Sequence, residues 1–300
     1  MRAARFFLWS TALPGFALAG FIMLAAPLPA SASSAERTAA TTPEAHRLPP
    51  GKCSADDVSN EERVAGCTAV IESGKTTGWT LGIAYCNLGY ALTELGEYDR
   101  VITESDTALR IDDKLACAYL NRGRARYAKN DLDRAIADFT QTIKLDPTFH
   151  EAYASRGASY HLRHEFERAI PDYDAAIRIE PNVAGYYVDR ANTLHYLREY
   201  PRAIADLTRA IALDPGVAEI YFRRGDYYSD TGDLNHAIAD FTKAIELAPD
   251  DLRFWHARSK AHELNNEKDL AAADHNEALR HESERFRRLV QQPSTQTPWE

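Results

Sequence analysis

Five arginines and five aspartates recur at one fixed interval from residue 122 onward, and their chemistry is that of a matched ion-pair ladder. Arg122, Arg156, Arg190, Arg224 and Arg258 follow one another every 34 residues, as do Asp138, Asp172, Asp206, Asp240 and Asp274. A track of unpaired arginines would recruit an anionic ligand. Equal numbers at a constant offset instead predict that each guanidinium is taken by a carboxylate of its own or a neighbouring element, because a buried arginine needs such a partner. Imidazoles offer a second chemistry: His161 and His195 share one register, with His164 close behind His161. Imidazole is a common metal ligand, but no carboxylate or cysteine at matching spacing completes a ligand set. No nucleophile–base–orienter pattern, phosphate-cradling glycine loop or zinc-protease helix occurs. The sequence therefore predicts a non-enzymatic protein with no cofactor.

The elements that position these residues follow from the same interval. Near-identical phrases close four successive units, at 131–140, 165–174, 199–208 and 233–242, and a proline follows each at Pro147, Pro181, Pro215 and Pro249. Self-similarity at this period predicts stacked helix pairs. Six units begin at Gly82, Ala116, His150, Ala184, Ala218 and Leu252. Their eighth position is Gly89, Gly123, Gly157, Ala191, Gly225 or Ser259, and their twentieth is alanine except at Val101. Small residues there let two antiparallel helices approach closely. Large ones fill the spaces between: Tyr85, Tyr119, Tyr153, Tyr187, Tyr221 and Trp255 at the fourth position, and Phe139, Tyr173, Leu207 and Phe241 at the twenty-fourth. Polar breaks such as Lys129-Asn130-Asp131 separate the helices of a pair, and Asp131 and Asp233 are placed to cap the second helix. The recurring proline stops that helix. Pro201 falls near a helix start, where it costs little, and Pro171 lies a turn into its helix.

Over roughly residues 82–285 the chain resembles the tetratricopeptide repeat family, on its small-residue positions, aromatic positions and terminal prolines. The resemblance implies an all-α, right-handed solenoid of six helix pairs (82–115, 116–149, 150–183, 184–217, 218–251 and 252–285), the first helix of each lining a concave groove. Residues 53–81, with an apolar pattern around Cys67, read as an amino-terminal half-unit that caps the stack. The family's geometry places Tyr90, Leu120, Arg124, Tyr127, His161, Asn192, His195, Phe222, Asp226, Arg253, His256 and Lys260 in the groove. That lining runs from apolar-aromatic to mixed charge and suits a protein or peptide partner. Some relatives clamp a chain-terminal carboxylate with lysine, asparagine and arginine; here Asn192, Arg223 and Arg253 match, but Val188 stands in the lysine place, so the clamp is incomplete. The alternative is a small-ligand or metal carrier built on His161 and His195.

Arg2 and Arg5 precede an apolar stretch from Phe6 to Leu28, and Ala30-Ser31-Ala32 has the form of a cleavage site. Residues 1–32 thus read as a secretory signal peptide, with an uncleaved anchor as the rival. Removing them takes the formal charge from −9 to −11, which argues against nucleic acid as a partner and leaves a membrane relevant only through that segment. Residues 33–52 read as a flexible leader and 286–300 as a helix end with a polar tail. The expected setting is the periplasm or the extracellular space. Cysteines in such a setting tend to pair: Cys53 and Cys67 would close a short loop, or else remain two buried thiols. Cys86 and Cys117 sit, by the family's geometry, on adjacent first helices facing the groove, where a second bridge is open to them.

Overall fold

The computed structural model describes residues 49–291. The expected signal segment, most of the leader and the end of the tail lie outside them. After a 3₁₀ turn at Gly51–Cys53, thirteen α-helices follow without a strand among the described residues. They are α1 (Asn60–Glu72), α2 (Gly78–Glu94), α3 (Tyr98–Ile111), α4 (Ala116–Ala128), α5 (Leu132–Leu145), α6 (His150–Leu162) and α7 (Phe166–Ile179). Then come α8 (Ala184–Tyr196), α9 (Tyr200–Leu213), α10 (Ala218–Asp230), α11 (Leu234–Leu247), α12 (Leu252–Leu264) and α13 (Lys268–Gln291). Helices α2 to α13 form six antiparallel pairs, each packed on the next to make a solenoid. Among the described residues the even-numbered helices α2 to α12 approach one another along one side, while the odd-numbered ones pack mainly on their even-numbered neighbours. The closely spaced even-numbered row is therefore the inner, concave face.

Each pair is joined by the same turn. Asn130, His164, Arg198 and Asn266 have φ near +60°, and Gly96 and Gly232 occupy the equivalent place with φ of 77° and 81°. In α4 the Asn130 N–H donates to the Tyr127 carbonyl (2.8 Å) and the Asp131 N–H to the Arg126 carbonyl (2.8 Å). That is a Schellman closure, which requires a left-handed residue just past the helix. Capping by the aspartate that follows is uneven: Asp233 accepts from the His236 N–H, whereas Asp131 makes no such bond. The second helix of each of the middle four pairs ends on a residue outside the helical region, such as Asp146 (φ −138°, ψ 96°), as the following proline favours. Pro181, Pro215 and Pro249 also give their carbonyls to Tyr187, Tyr221 and Trp255, which explains the polar-tipped aromatic at the fourth position.

The core runs as a seam between the two rows. A Cβ placed on Gly123 would come within 2.7 Å of the Phe139 ring, and one on Gly225 within 2.7 Å of Phe241. The eighth position is small because the aromatic at the twenty-fourth lies against it. Where that residue is only leucine, Leu207, the eighth position carries a methyl group, Ala191, and both are fully buried. At the amino-terminal end α1 is fixed by a reciprocal cap, Ser59 accepting from the Glu62 N–H and Glu62 from the Ser59 N–H. The first full unit opens a turn earlier than its repeat register, at Gly78.

Candidate functional site

The arginine–aspartate ladder is a structural device. Arg156 Nε and Nη2 donate to both oxygens of Asp172 (2.8 and 2.7 Å), and the same fork joins Arg190 to Asp206, Arg224 to Asp240 and Arg258 to Asp274. Nη1 reaches back one unit, to Asp106 from Arg122, to Thr140 from Arg156 and to Asp174 from Arg190. Each guanidinium also lies over the fourth-position ring of its helix, as Arg258 does over Trp255 at 5.1 Å. Every rung thus ties three helices together and leaves no cation for a ligand.

The concave row is different. Tyr90, on α2, is 40% exposed, whereas Leu120 is buried at 5% against Phe139 and Ala152. Leu120 is therefore core and not lining, because successive first helices pack too tightly for that position to reach the groove. Tyr127 is half-buried, and burial raises its hydroxyl to about 12. Arg124 makes no ion pair among the described residues and adds positive charge near Tyr186. His161 and His195 do not converge. His161 shares a hydrogen bond with the Thr193 hydroxyl (2.8 Å) and is held below its usual pKa by burial and by His164, while His195 meets Asp230 (2.7 Å). Among the described residues no group of three or more His, Cys, Asp or Glu side chains is placed to hold a metal. His164 owes its place to the left-handed turn.

Units four to six bring the remaining lining residues together. Asn192 accepts from Arg223 (3.1 Å) and from the Tyr227 hydroxyl (2.9 Å), and His195 stacks on Tyr227 with ring centres 4.3 Å apart. Arg223 and Arg253 share Glu219 (2.9 and 3.0 Å), and Arg253 lies over the Phe222 ring. The two clamp-register arginines are thus already spent on a carboxylate. Asp226 has no hydrogen bond or ion pair among the described residues; burial, Asp230 and Glu219 push it up to about 6. It lines a cavity of about 270 Å³ with His195, Tyr227, Asp230 and Lys260. His256, exposed on α12, faces His275 at 6.3 Å.

One groove residue escaped the sequence reading. Asp189 occupies the sixth position of its unit, where the other units carry Asn87, Asn121, Ser155, Arg223 and Ala257. Burial pushes its carboxyl up to about 7, against the attraction of Arg223, and it too makes no ion pair or side-chain hydrogen bond among the described residues. Its charge is felt by Tyr127, Tyr173 and Tyr186. The available signal was an acid and a base, Asp189 and Arg223, at one register of consecutive units.

Cysteine pairs occupy the other end. Cys53 and Cys67 are joined with Cα atoms 4.4 Å apart, and Cys86 and Cys117, on α2 and α4, with Cα atoms 5.8 Å apart. Tetratricopeptide repeat models match residues 83–115 and 218–251, and a second such model matches 120–184. The chain is a tetratricopeptide repeat protein. As a tetratricopeptide repeat solenoid it is similar to crystallised MamA, with 26% identity, a TM-score of 0.53, and coverage of 55% of this chain and 96% of that one. It also resembles YrrB, described as a tetratricopeptide repeat protein with an unusual peptide-binding site, at 20% identity and a TM-score of 0.53 over 59% of this chain and 91% of YrrB. PilF of Pseudomonas aeruginosa aligns at 13% identity and a TM-score of 0.57 over 64% of this chain and 88% of its own. No curated protein matches in sequence.

Proposed function

We propose that this protein is a non-catalytic scaffold that holds a segment of a partner protein in its concave groove and places that partner within an assembly of the cell envelope. The observation that carries the reading is a contrast between surfaces. Between the helix rows every arginine of the ladder is neutralised, whereas the concave face retains Asp189, Asp226 and Arg124 without ion pairs among the described residues. Unspent charge beside aromatic rings is what a groove for an extended or helical segment requires. The peptide-binding site ascribed to YrrB supports this use of the fold. Export is supported by the two cysteine pairs, since such bonds persist in oxidising compartments.

The test places a photo-crosslinking amino acid at Tyr90, Arg124 or Phe222 on the concave side, and at Arg134 or Arg202 on the outer helices, in the native host. Groove positions should trap one common partner that the purified protein then binds directly and that Asn192→Ala weakens. Trapping from the outer positions alone would move the site to the convex face and end the groove reading.

A further inference from the structure

We infer that the carboxy-terminal end of the concave row binds a divalent transition-metal ion of the zinc, nickel or copper class, through His256 of α12 and His275 of α13. The inference starts from which imidazoles are already engaged. Among the described histidines, His150 and His161 are hydrogen-bonded to hydroxyls, and His195, His236, His262 and His281 to carboxylates. His164 packs its ring on Phe166 at a turn. His256 and His275 make neither a hydrogen bond nor an ion pair among the described residues. Both are exposed, and they approach from two helices with ring centres 6.3 Å apart. Two imidazoles on one tetrahedral ion, each bonded at about 2.1 Å, hold their ring centres about 5 Å apart. A change of rotamer covers the difference, and exposure leaves both side chains free to make it.

The last unit departs from the others at this place. Units two to five bury Phe139, Tyr173, Leu207 and Phe241 at the twenty-fourth position, where the last unit carries the exposed His275. Its eighth position is Ser259, whose hydroxyl is spent on the Ala271 carbonyl (2.8 Å). No further helix packs on α13 among the described residues, so nothing there covers the two imidazoles. The donor set is nitrogen alone, because Asp274, next to His275 in sequence, is held at both oxygens by Arg258 (2.8 and 2.6 Å). Imidazoles without a carboxylate select zinc, nickel or copper over magnesium or calcium. No third His, Cys, Asp or Glu joins them among the described residues, so water fills the remaining positions. Lys260 follows His256 by one helical turn, and its charge opposes the ion. An ion with one ligand from each helix staples α12 to α13 at the open end of the stack, as the disulfides fasten the opposite end.

The experiment titrates the purified chain, carrying no histidine tag and stripped of metal by a chelator, with zinc or nickel chloride in a calorimeter. Amide exchange is then followed with and without the ion. One ion per chain should bind, and exchange should slow in α12 and α13 but not elsewhere. His256→Ala and His275→Ala, both at exposed side chains and each checked for an unchanged helical spectrum, should weaken binding at least about tenfold. His236→Ala, at an exposed histidine of α11, should leave the affinity unchanged, and Lys260→Gln should raise it. Magnesium chloride should give no binding heat. Absence of zinc and nickel binding, affinity retained in both His256→Ala and His275→Ala, or slowed exchange that lies away from α12 and α13 would overturn the inference.

Discussion

The two unpaired aspartates, Asp189 and Asp226, each give the stability of the protein a pH signature. Asp189 has its folded-state pKa raised to about 7 by burial. A group raised in this way contributes stability at pH values below its unfolded value, and that contribution is lost as the pH rises through about 7. At pH 8 the charged carboxylate therefore destabilises the parent. Asp189→Asn should melt higher there, by on the order of 1–3 kcal/mol once the groove's solvent screens the charge, with the gap to the parent closing by pH 4–5. Paired thermal melts across that range decide it, and a variant less stable at pH 8 would mean that Asp189 has a structural partner. Asp226 is shifted in the same direction. It faces Asp230, Glu219 and Arg223 of its own helix, His195 from the helix before and Lys260 from the helix after, and titrates near pH 6. Its contribution to stability is therefore lost as the pH rises through about 6, and Asp226→Asn should melt above the parent at pH 8 but not at pH 4. A variant that melts below the parent at pH 8 would sink this assignment.

Each helix pair depends on a left-handed residue at its turn, and the six units meet that demand unequally. Gly96 and Gly232 adopt positive φ freely, Asn130 and Asn266 tolerate it, and His164 and Arg198 carry full side chains there at φ 59°. Neither side chain gains a conformational advantage from that backbone. His164→Gly and Arg198→Gly should each stabilise the protein by about 1 kcal/mol, read as a higher midpoint in urea with an unchanged slope. A loss of stability would show that the side chain makes contacts worth more than the strain. Elements were the most legible feature of this sequence for a related reason. Gly123 against Phe139, Ala191 against Leu207 and the terminal prolines are repeated constraints, and repetition separates them from chance. The ladder was legible too, since Arg156 and Asp172 recur together. The groove was not, because its residues vary from unit to unit and no repeated constraint marks them. Leu120 carried the register of a lining residue yet is buried in the core. His161 and His195 shared a register but turn to Thr193 and Asp230. Asp189 was invisible as a single letter because its meaning comes from lacking a partner, which only the fold reveals.

Among the described residues stability is distributed as in a one-dimensional stack, because each unit packs chiefly on its neighbours. The ends should open before the middle, and the two ends are built differently. At the amino-terminal end one disulfide pins the 3₁₀ turn to α1 and the other ties α2 to α4. At the carboxy-terminal end no further helix packs on α13 among the described residues, and Leu270 and Leu279 are 51% and 46% exposed. Amide exchange of the oxidised protein should therefore progress inward from α13, while α1 and α2 stay protected. The bond between Cys53 and Cys67 closes a loop of separation 14, which corresponds to about 3 kcal/mol of denatured-state entropy. Reduction, or Cys53→Ser with Cys67→Ser, should thus release protection in α1 and α2 by roughly that amount. In a stack the loss cannot travel far, so α8 to α10, which carry Asp189, Asn192 and Asp226, should exchange as before and the peptide groove should keep its affinity. Exchange that rose uniformly along the chain would show instead that the solenoid opens as one cooperative body, and that the amino-terminal disulfides stabilise the distant groove as well as the cap.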